Sequence, residues 1–270
     1  MPTQCNAEQL EFSCVERRRV VAAFDGGTVS SDAAALLLGK ADEAIGLIDR
    51  LAGCFVDERD PDLIEHTVRT LIGQRVFGMA LGYEDLNDHE QLRHDPVLGA
   101  LLGKLEPQRR TDCAALAGKS TLNRLELHAA QGRSRYHKIR PDTEAIERLW
   151  VQVFLDAHRT APAEVILDLD ATDDPLHGRQ EGRFFHGYYD GYCYLPLYIF
   201  AGEHLLCAKL RRANLDGAAG AREELERIVA QIRERWPQVK IILRADSGFC
   251  REELMSWCEQ NAVDYVFGLA

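Results

Sequence analysis

The run Val165-Ile-Leu-Asp-Leu-Asp170 most constrains what this chain can fold into. Its apolar residues stop after five positions, too few for a helix, and it reads as a buried strand. Alternation with a period of two puts Asp168 and Asp170 on one face, Leu167 and Leu169 on the other. A carboxylate on or at the end of a buried strand is costly unless its charge is compensated. Hydrogen bonds can do that, and so can a divalent cation, for which carboxylate oxygens are natural ligands. The run therefore predicts a sheet and a place where negative charge must be met. An acidic turn, Ala171-Thr-Asp-Asp-Pro-Leu-His-Gly178, follows it.

Upstream the period is helical. Residues 1–31 are mixed, with a short strand expected at Val20–Phe24. Ser31 or Asp32 caps a helix that begins at Ala33, and a second helix is expected over 41–53. A third runs from Leu63 to about Gly82, with Leu63, Ile64, Val68, Leu71, Ile72, Val76 and Met79 at helical spacing. Asp95-Pro96 opens a turn or helix, and Thr111 or Asp112 caps an alanine- and leucine-rich segment. Another helix, Glu144 to about Arg159, turns Ile146, Leu149, Trp150, Val153 and Phe154 to one side. Thr160-Ala-Pro-Ala163 closes it, and a domain boundary is expected there.

From residue 164 the period changes. The aromatic and β-branched runs Arg183–Tyr189 and Cys193–Phe200 flank Asp190-Gly191, a strong hairpin signal. A strand over 204–209, a helix over 221–236 ended by Pro237, a strand Val239–Arg244, a helix over 251–261 and a strand Val263–Phe267 complete the order. The fold class is thus α + α/β: a helical N-terminal domain, residues 1–160, followed by a mixed-sheet domain, residues 161–270.

The eight cysteines form no CxxC pair and match neither a zinc site nor a compact disulfide framework. They read as reduced thiols of a cytosolic protein. Wholly apolar runs fall short of the ~20 residues of a membrane span, and no signal peptide is expected. The formal net charge of −11 suits a nucleic-acid partner only through a local basic patch. Arg133-Ser-Arg-Tyr-His-Lys-Ile-Arg140 is the dense basic stretch, read as an exposed loop or helix end. Arg133, Arg135, Lys138 and Arg140 are its candidate phosphate contacts.

Two predicted strands end alike, in Asp170-Ala-Thr172 and Asp246-Ser-Gly248. If they are neighbours, the two carboxylates face one another and a divalent metal between them is the simple solution. Other readings stay open. Asp170 could cap the turn at Thr172, Asp246 could cap the helix 251–261, and Asp168 could pair with an Arg or Lys. Asp173 and Asp174 read as solvated turn residues. Gly118-Lys-Ser-Thr121 ends like a phosphate-binding loop, but Cys113 stands where that pattern needs glycine.

These residues carry a resemblance. Leu167-Asp-Leu-Asp-Ala-Thr-Asp-Asp-Pro-Leu-His-Gly178, Gly187-Tyr-Tyr-Asp-Gly-Tyr192, Tyr194-Leu-Pro-Leu197 and Arg244-Ala-Asp-Ser-Gly-Phe249 form the C-terminal blocks. Gln74-Arg-Val76, Leu81–Asp88, Leu92-Arg-His-Asp-Pro96 and Ser120–Glu126 form the N-terminal ones. Together they resemble bacterial insertion-sequence transposases of the DDE type, in the group named for insertion sequence 1380, over nearly the whole chain. The resemblance implies a ribonuclease-H-like catalytic core with Asp170 and Asp246 as the first and second catalytic, metal-binding aspartates. It implies Mg²⁺, or Mn²⁺, as cofactor. It implies double-stranded DNA as partner (the element's terminal inverted repeats and the target), a homodimer or synaptic oligomer, and a cytoplasmic, nucleoid-associated location. The family's third acid is a glutamate on a later helix, and no residue here matches it. The core is accordingly expected to be incomplete at its C-terminus and the chain a truncated form. The alternatives are a non-catalytic DNA-binding remnant of a transposase and another ribonuclease-H-like nuclease.

Overall fold

The computed structural model describes residues 10–15, 18–22, 30–107, 114–126 and 138–269. The chain divides into two compact units, Met1–Arg140 and Pro141–Ala270.

In the first unit β1 (Leu10–Val15) and β2 (Arg18–Ala22) form an antiparallel pair. Then come α1 (Ala35–Ile45), α2 (Leu47–Ala52), β3 (Phe55–Asp57), α3 (Val68–Ala80), α4 (His89–Leu92), α5 (Pro96–Leu101), α6 (Lys119–Glu126) and β4 (Ile139–Pro141), which pairs with β3. The helix expected over 41–53 is broken at Gly46, whose φ of 64° ends α1 in the left-handed region. α3 starts later than its apolar spacing suggests. The Thr67 hydroxyl caps it by accepting from the Thr70 amide at 3.2 Å, while residues 61–63 form a separate 3-10 turn behind Asp60. Asp95 caps α5 through the amides of Val97 and Leu98. The unit's apolar residues gather in two clusters, one around Ile48, Phe77 and Leu98, the other around Leu71, Leu122 and Ile139. Buried Gln74 binds both polar groups of the Ala117 backbone, accepting from its N–H at 2.9 Å and donating to its C=O at 2.7 Å. The Gln74-Arg75 motif is thus structural here, since Arg75 in turn pairs with Glu126 and the Glu84 carbonyl.

The second unit opens with α7 (Thr143–Ala157), capped by Asp142. β5 (Glu164–Ala171), β6 (Asp174–Pro175), β7 (Phe184–His186), β8 (Gly191–Tyr194), β9 (Leu197–Ala201) and β10 (His204–Lys209) follow. They are succeeded by α8 (Ala221–Arg235), β11 (Lys240–Ala245), α9 (Glu252–Gln260) and β12 (Asp264–Phe267). A five-stranded sheet runs β10-β9-β5-β11-β12. β5, β11 and β12 are parallel, while β9 is antiparallel to both β5 and β10. Val165, Leu167 and Leu169 of β5, with Leu197, Ile199, Ile241 and Leu243, pack against Phe154, Leu225, Ile228, Val229, Leu254 and Trp257 of the three helices in one core. The other face carries Asp168, Phe200, Arg244 and Val266 and is half exposed.

Three expectations need correction. α7 packs on β10 and α8 and lies in the second unit, so the compact units divide at residue 140 rather than near 160. Its buried side is Leu149, Val151, Phe154 and Leu155, which turns Trp150 and Val153 partly outward. The run Cys193–Phe200 is two strands, not one. β8 pairs with β7 in the expected hairpin, and with β6 completes a three-stranded sheet, whereas β9 joins the large sheet. Pro196, which has no N–H to give a ladder, lies at the break. Among the described residues no helix is long and apolar enough to cross a membrane. Cys193, Cys207 and Cys258 are buried free thiols.

Candidate active site

β5 and β11 are parallel neighbours in register from Lys240 opposite Glu164 to Ala245 opposite Leu169. The next residue on each strand is an aspartate, Asp170 and Asp246, and adjacent strands lie only ~4.8 Å apart. Both aspartates therefore stand at the C-terminal edge of the sheet's parallel strands, where α/β proteins gather ligands. The neighbouring aspartate is committed elsewhere. Asp168 forms a two-pronged ion pair with Arg244, Nη2 to Oδ2 at 2.9 Å. Asp170 is exposed and its carboxylate accepts no hydrogen bond among the described residues. Asp246 uses one oxygen, Oδ1, to accept from the Gly248 amide at 2.8 Å. It caps the short 3-10 turn Ser247–Phe249, and α9 has no side-chain cap at all.

Two glycines hold Asp246 from either side. A Cβ at Gly248 would meet Asp246 Oδ1 at 2.9 Å. One at Gly268, just past β12, would stand 2.9 Å from the Ser247 nitrogen and 3.5 Å from the Asp246 Cα. The Gly268 amide also donates to the Ala245 carbonyl at 3.1 Å, so the chain after β12 closes on the acid's own backbone.

Tyr189 closes the other side. Its hydroxyl donates to the Ala171 carbonyl at 3.4 Å, one residue beyond Asp170, and its ring lies against His186 at 4.9 Å. Burial first, then the negative charges of Asp173, Asp170 and Asp246 among its neighbours, raise its pKa above the ordinary tyrosine value. It is therefore a protonated donor at neutral pH. The turn Asp216–Ala219 also reaches this edge. A Cβ at Gly217 would meet the Ala171 methyl at 3.8 Å, and Asp216 pairs with Arg251 at 2.9 Å. That Arg251 hydrogen bond holds the Asp216 carboxyl below its usual value.

The structure places both sequence-predicted aspartates at the ends of neighbouring parallel strands. Sequence patterns assigned no role to Tyr189, which stood in a predicted strand and in the block Gly187–Tyr192, and none to Gly268, which no motif flagged. The basic stretch fares differently. Arg133 and Arg135 lie outside the described residues. Lys138 is exposed, but Arg140 sits on β4 rather than on a loop or helix end, and its guanidinium is paired with Glu58 at 2.5 Å.

The donor set fits a hard divalent cation. Three carboxylate oxygens of Asp170 and Asp246 are free of hydrogen bonds, and Mg²⁺ takes one or two carboxylates while keeping waters and substrate oxygens. Among the described residues no cluster of three or more His, Cys, Asp or Glu side chains is arranged to hold a metal.

Residues 12–270 match the family model described as Transposase DDE domain group 1. No curated protein matches the chain. Among solved structures it is similar to the catalytic domain of Mos1 mariner transposase, at 10% identity and a TM-score of 0.31, covering 46% of this chain and 60% of that one. It is similar also to piggyBac transposase in a synaptic complex with hairpin DNA, at 13% identity and a TM-score of 0.35, covering 86% of this chain and 50% of that one. A Mos1 mariner paired end complex with Mn is a further match, at 13% identity and a TM-score of 0.28, covering 88% of this chain and 78% of that one. The chain spans 60% or less of the length of the first two of these structures.

Proposed function

The chain belongs to the Transposase DDE domain group 1 family, and from that premise we propose that it is the transposase of a bacterial insertion sequence of the 1380 group, acting on the ends of its element. The observation that carries the reading is that Asp170 and Asp246 each directly follow the last paired residues, Leu169 and Ala245, of adjacent parallel strands. The sheet order, with β5 central and β9 and β10 antiparallel on one side, supports a ribonuclease-H-like core. Asp170 and Asp246 would hold Mg²⁺ or Mn²⁺, which when bound supplies charge neutralisation at a phosphodiester and an activated oxygen nucleophile.

The chain's own residues then have separable parts. Arg244 neutralises Asp168, which keeps that carboxylate out of competition with its neighbours. The Gly248 amide fixes one oxygen of Asp246 and leaves the other outward. Tyr189 ties the peptide after Asp170 to the small sheet and so sets where that carboxylate points. Positioning of this kind, rather than covalent chemistry by the protein, is what phosphoryl transfer needs.

The test is a strand-nicking assay on DNA carrying the element's terminal repeats, with and without Mg²⁺. Metal-dependent nicking is expected to fall at least ~100-fold in Asp170→Asn and in Asp246→Asn, with DNA binding retained. Nicking that persists in both variants would sink the site. A second reading, DNA binding without cleavage, is favoured by the fact that among the described residues no three or more His, Cys, Asp or Glu side chains are grouped to hold a metal. Tight, specific binding of the terminal repeats with no nicking in either metal would select it.

A further inference from the structure

The three-stranded sheet β6-β8-β7 has two unlike faces. Phe184 and Cys193, opposite one another in the register, turn inward and pack with Ala171, Tyr189, Leu195 and Ala213. Phe185 and Tyr192, the next pair, turn outward and are 54% and 50% exposed. Their rings meet edge to face at 5.7 Å. The Arg183 guanidinium lies over the Tyr192 ring, 4.6 Å from its centroid, and also donates to the Gly178 carbonyl. At the hairpin's turn Tyr188 is 86% exposed. An outward cross-strand aromatic pair with a cation on it is not the scattered surface apolarity that any soluble protein shows.

The charges around it say what kind of partner it suits. Near the acid pair, Arg244, Arg251 and Arg222 are each taken by a carboxylate, Asp168, Asp216 and Glu253. Arg179, Arg183 and Arg212 of the small sheet's surroundings form no ion pair among the described residues. The same segment carries Asp173, Asp174, Glu181 and Asp190, so four carboxylates stand against these three guanidinium groups and the surface is slightly negative. A duplex backbone, whose affinity comes from neutralised phosphates, is poorly matched by such a surface. Unpaired bases are well matched, because every base offers a π-face and stacking needs little net charge. The place is also right. The segment leaves the large sheet directly after Asp170 and returns to it as β9, and Tyr189 on its inner side feels the charges of both Asp170 and Asp246.

We propose that the outer face of this small sheet is a stacking surface for unpaired nucleotides of a DNA strand, with Phe185 and Tyr192 against the bases and Arg183 beside the phosphate. This rests on the reading of the acid pair as a DNA site and adds to it a surface that takes single-stranded rather than duplex DNA.

The experiment measures fluorescence anisotropy of the full chain with a short labelled single strand and with the matching duplex, in chelator, so that cleavage plays no part. The double variant Phe185→Ala, Tyr192→Ala is expected to weaken single-strand binding by about tenfold or more, from the usual worth of base stacking. Duplex binding should be unchanged. Phe185→Tyr and Tyr192→Phe should bind as the parent does, and Arg183→Ala should lose affinity that Arg183→Lys partly restores. Both mutated side chains are exposed, and an unchanged melting temperature confirms the fold. Equal loss on both DNAs, or no loss on the single strand, overturns the proposal. So does a double variant that abolishes self-association in sedimentation but leaves single-strand binding intact, which would make the face a protein interface. The assay reads binding in chelator and needs no cleavage, so a failure of the acid pair to nick DNA leaves this result readable by itself.

Discussion

Gly268 contributes no side chain, yet the position of Asp246 depends on it. With a Cβ 2.9 Å from the Ser247 nitrogen, Gly268→Ala must push apart the backbone that carries the acid. A displacement on the order of 1 Å at a reacting group can cost ~100-fold in rate. Gly268→Ala is therefore expected to lower nicking at least ~10-fold with DNA binding retained, and unaltered rates would show that the acid tolerates the shift. A second residue-scale prediction concerns His66. Its Nδ1 lies 3.0 Å from Lys104 Nζ, and that lysine is buried. Burial first, then the Lys104 charge, lowers the histidine pKa to about 4. The unfolded chain, with a histidine pKa of ~6.5, binds a proton that the folded one refuses. Stability is thus fully present above that pH and lost as pH falls from about 6.5 toward about 4. Melting temperature against pH should show this slope, and His66→Gln should flatten it while still accepting from Lys104. An equally steep curve in the variant would assign the slope to other groups.

Among the elements, the C-terminal end of α9 holds an avoidable strain. Ala262 has a φ of 51°, in the region that glycine ordinarily occupies after a helix, and Val263 donates back to the Cys258 carbonyl at 2.9 Å. Ala262→Gly should stabilise the protein by about 0.5–1 kcal/mol, the left-handed penalty less glycine's entropy. Chemical denaturation would measure it, and a destabilised variant would mean the alanine methyl is packing usefully. The elements also show what the sequence could and could not reveal. β5, β10, α8, β11, α9 and β12 were legible to within a residue or two, because each is bounded by a turn residue and keeps one period throughout. The strand-end positions of Asp170 and Asp246 were legible because each follows a buried apolar run. The division of Cys193–Phe200 was not, since an apolar run with one proline reads the same whether its halves share a sheet or part company. The boundary at 160 failed for a related reason. A helix's own pattern shows which side is apolar but not which neighbour covers it, and α7 is covered by β10 and α8. Tyr189 and Gly268 act only through residues far away in sequence, and no local pattern announces that.

For the molecule as a whole, the formal charge of −11 bears on metal binding. Two adjacent carboxylates with no cationic partner among the described residues repel one another in the folded state and are far apart in the unfolded one. A divalent cation that binds only the folded pair should raise the melting temperature, by an amount equivalent to ~2.7 kcal/mol at a hundred times its dissociation constant. Differential scanning calorimetry with Mg²⁺ or Mn²⁺ should show this rise in the parent and not in Asp170→Asn. An identical rise in both would place the bound ion elsewhere.

The adjacency of β5 and β11 has a consequence in time. The pair they bring together is far apart along the chain, as is the ion pair just below it, where Arg244 and Asp168 are 76 residues apart. A ribosome adding 5–20 residues per second needs about 4–15 s to cover that distance. During that interval a nascent chain presents Asp170 without its partner, and the strand that will complete the site does not yet exist. The two-acid edge of the sheet therefore forms late in synthesis, once β11 has been made and can pair with β5.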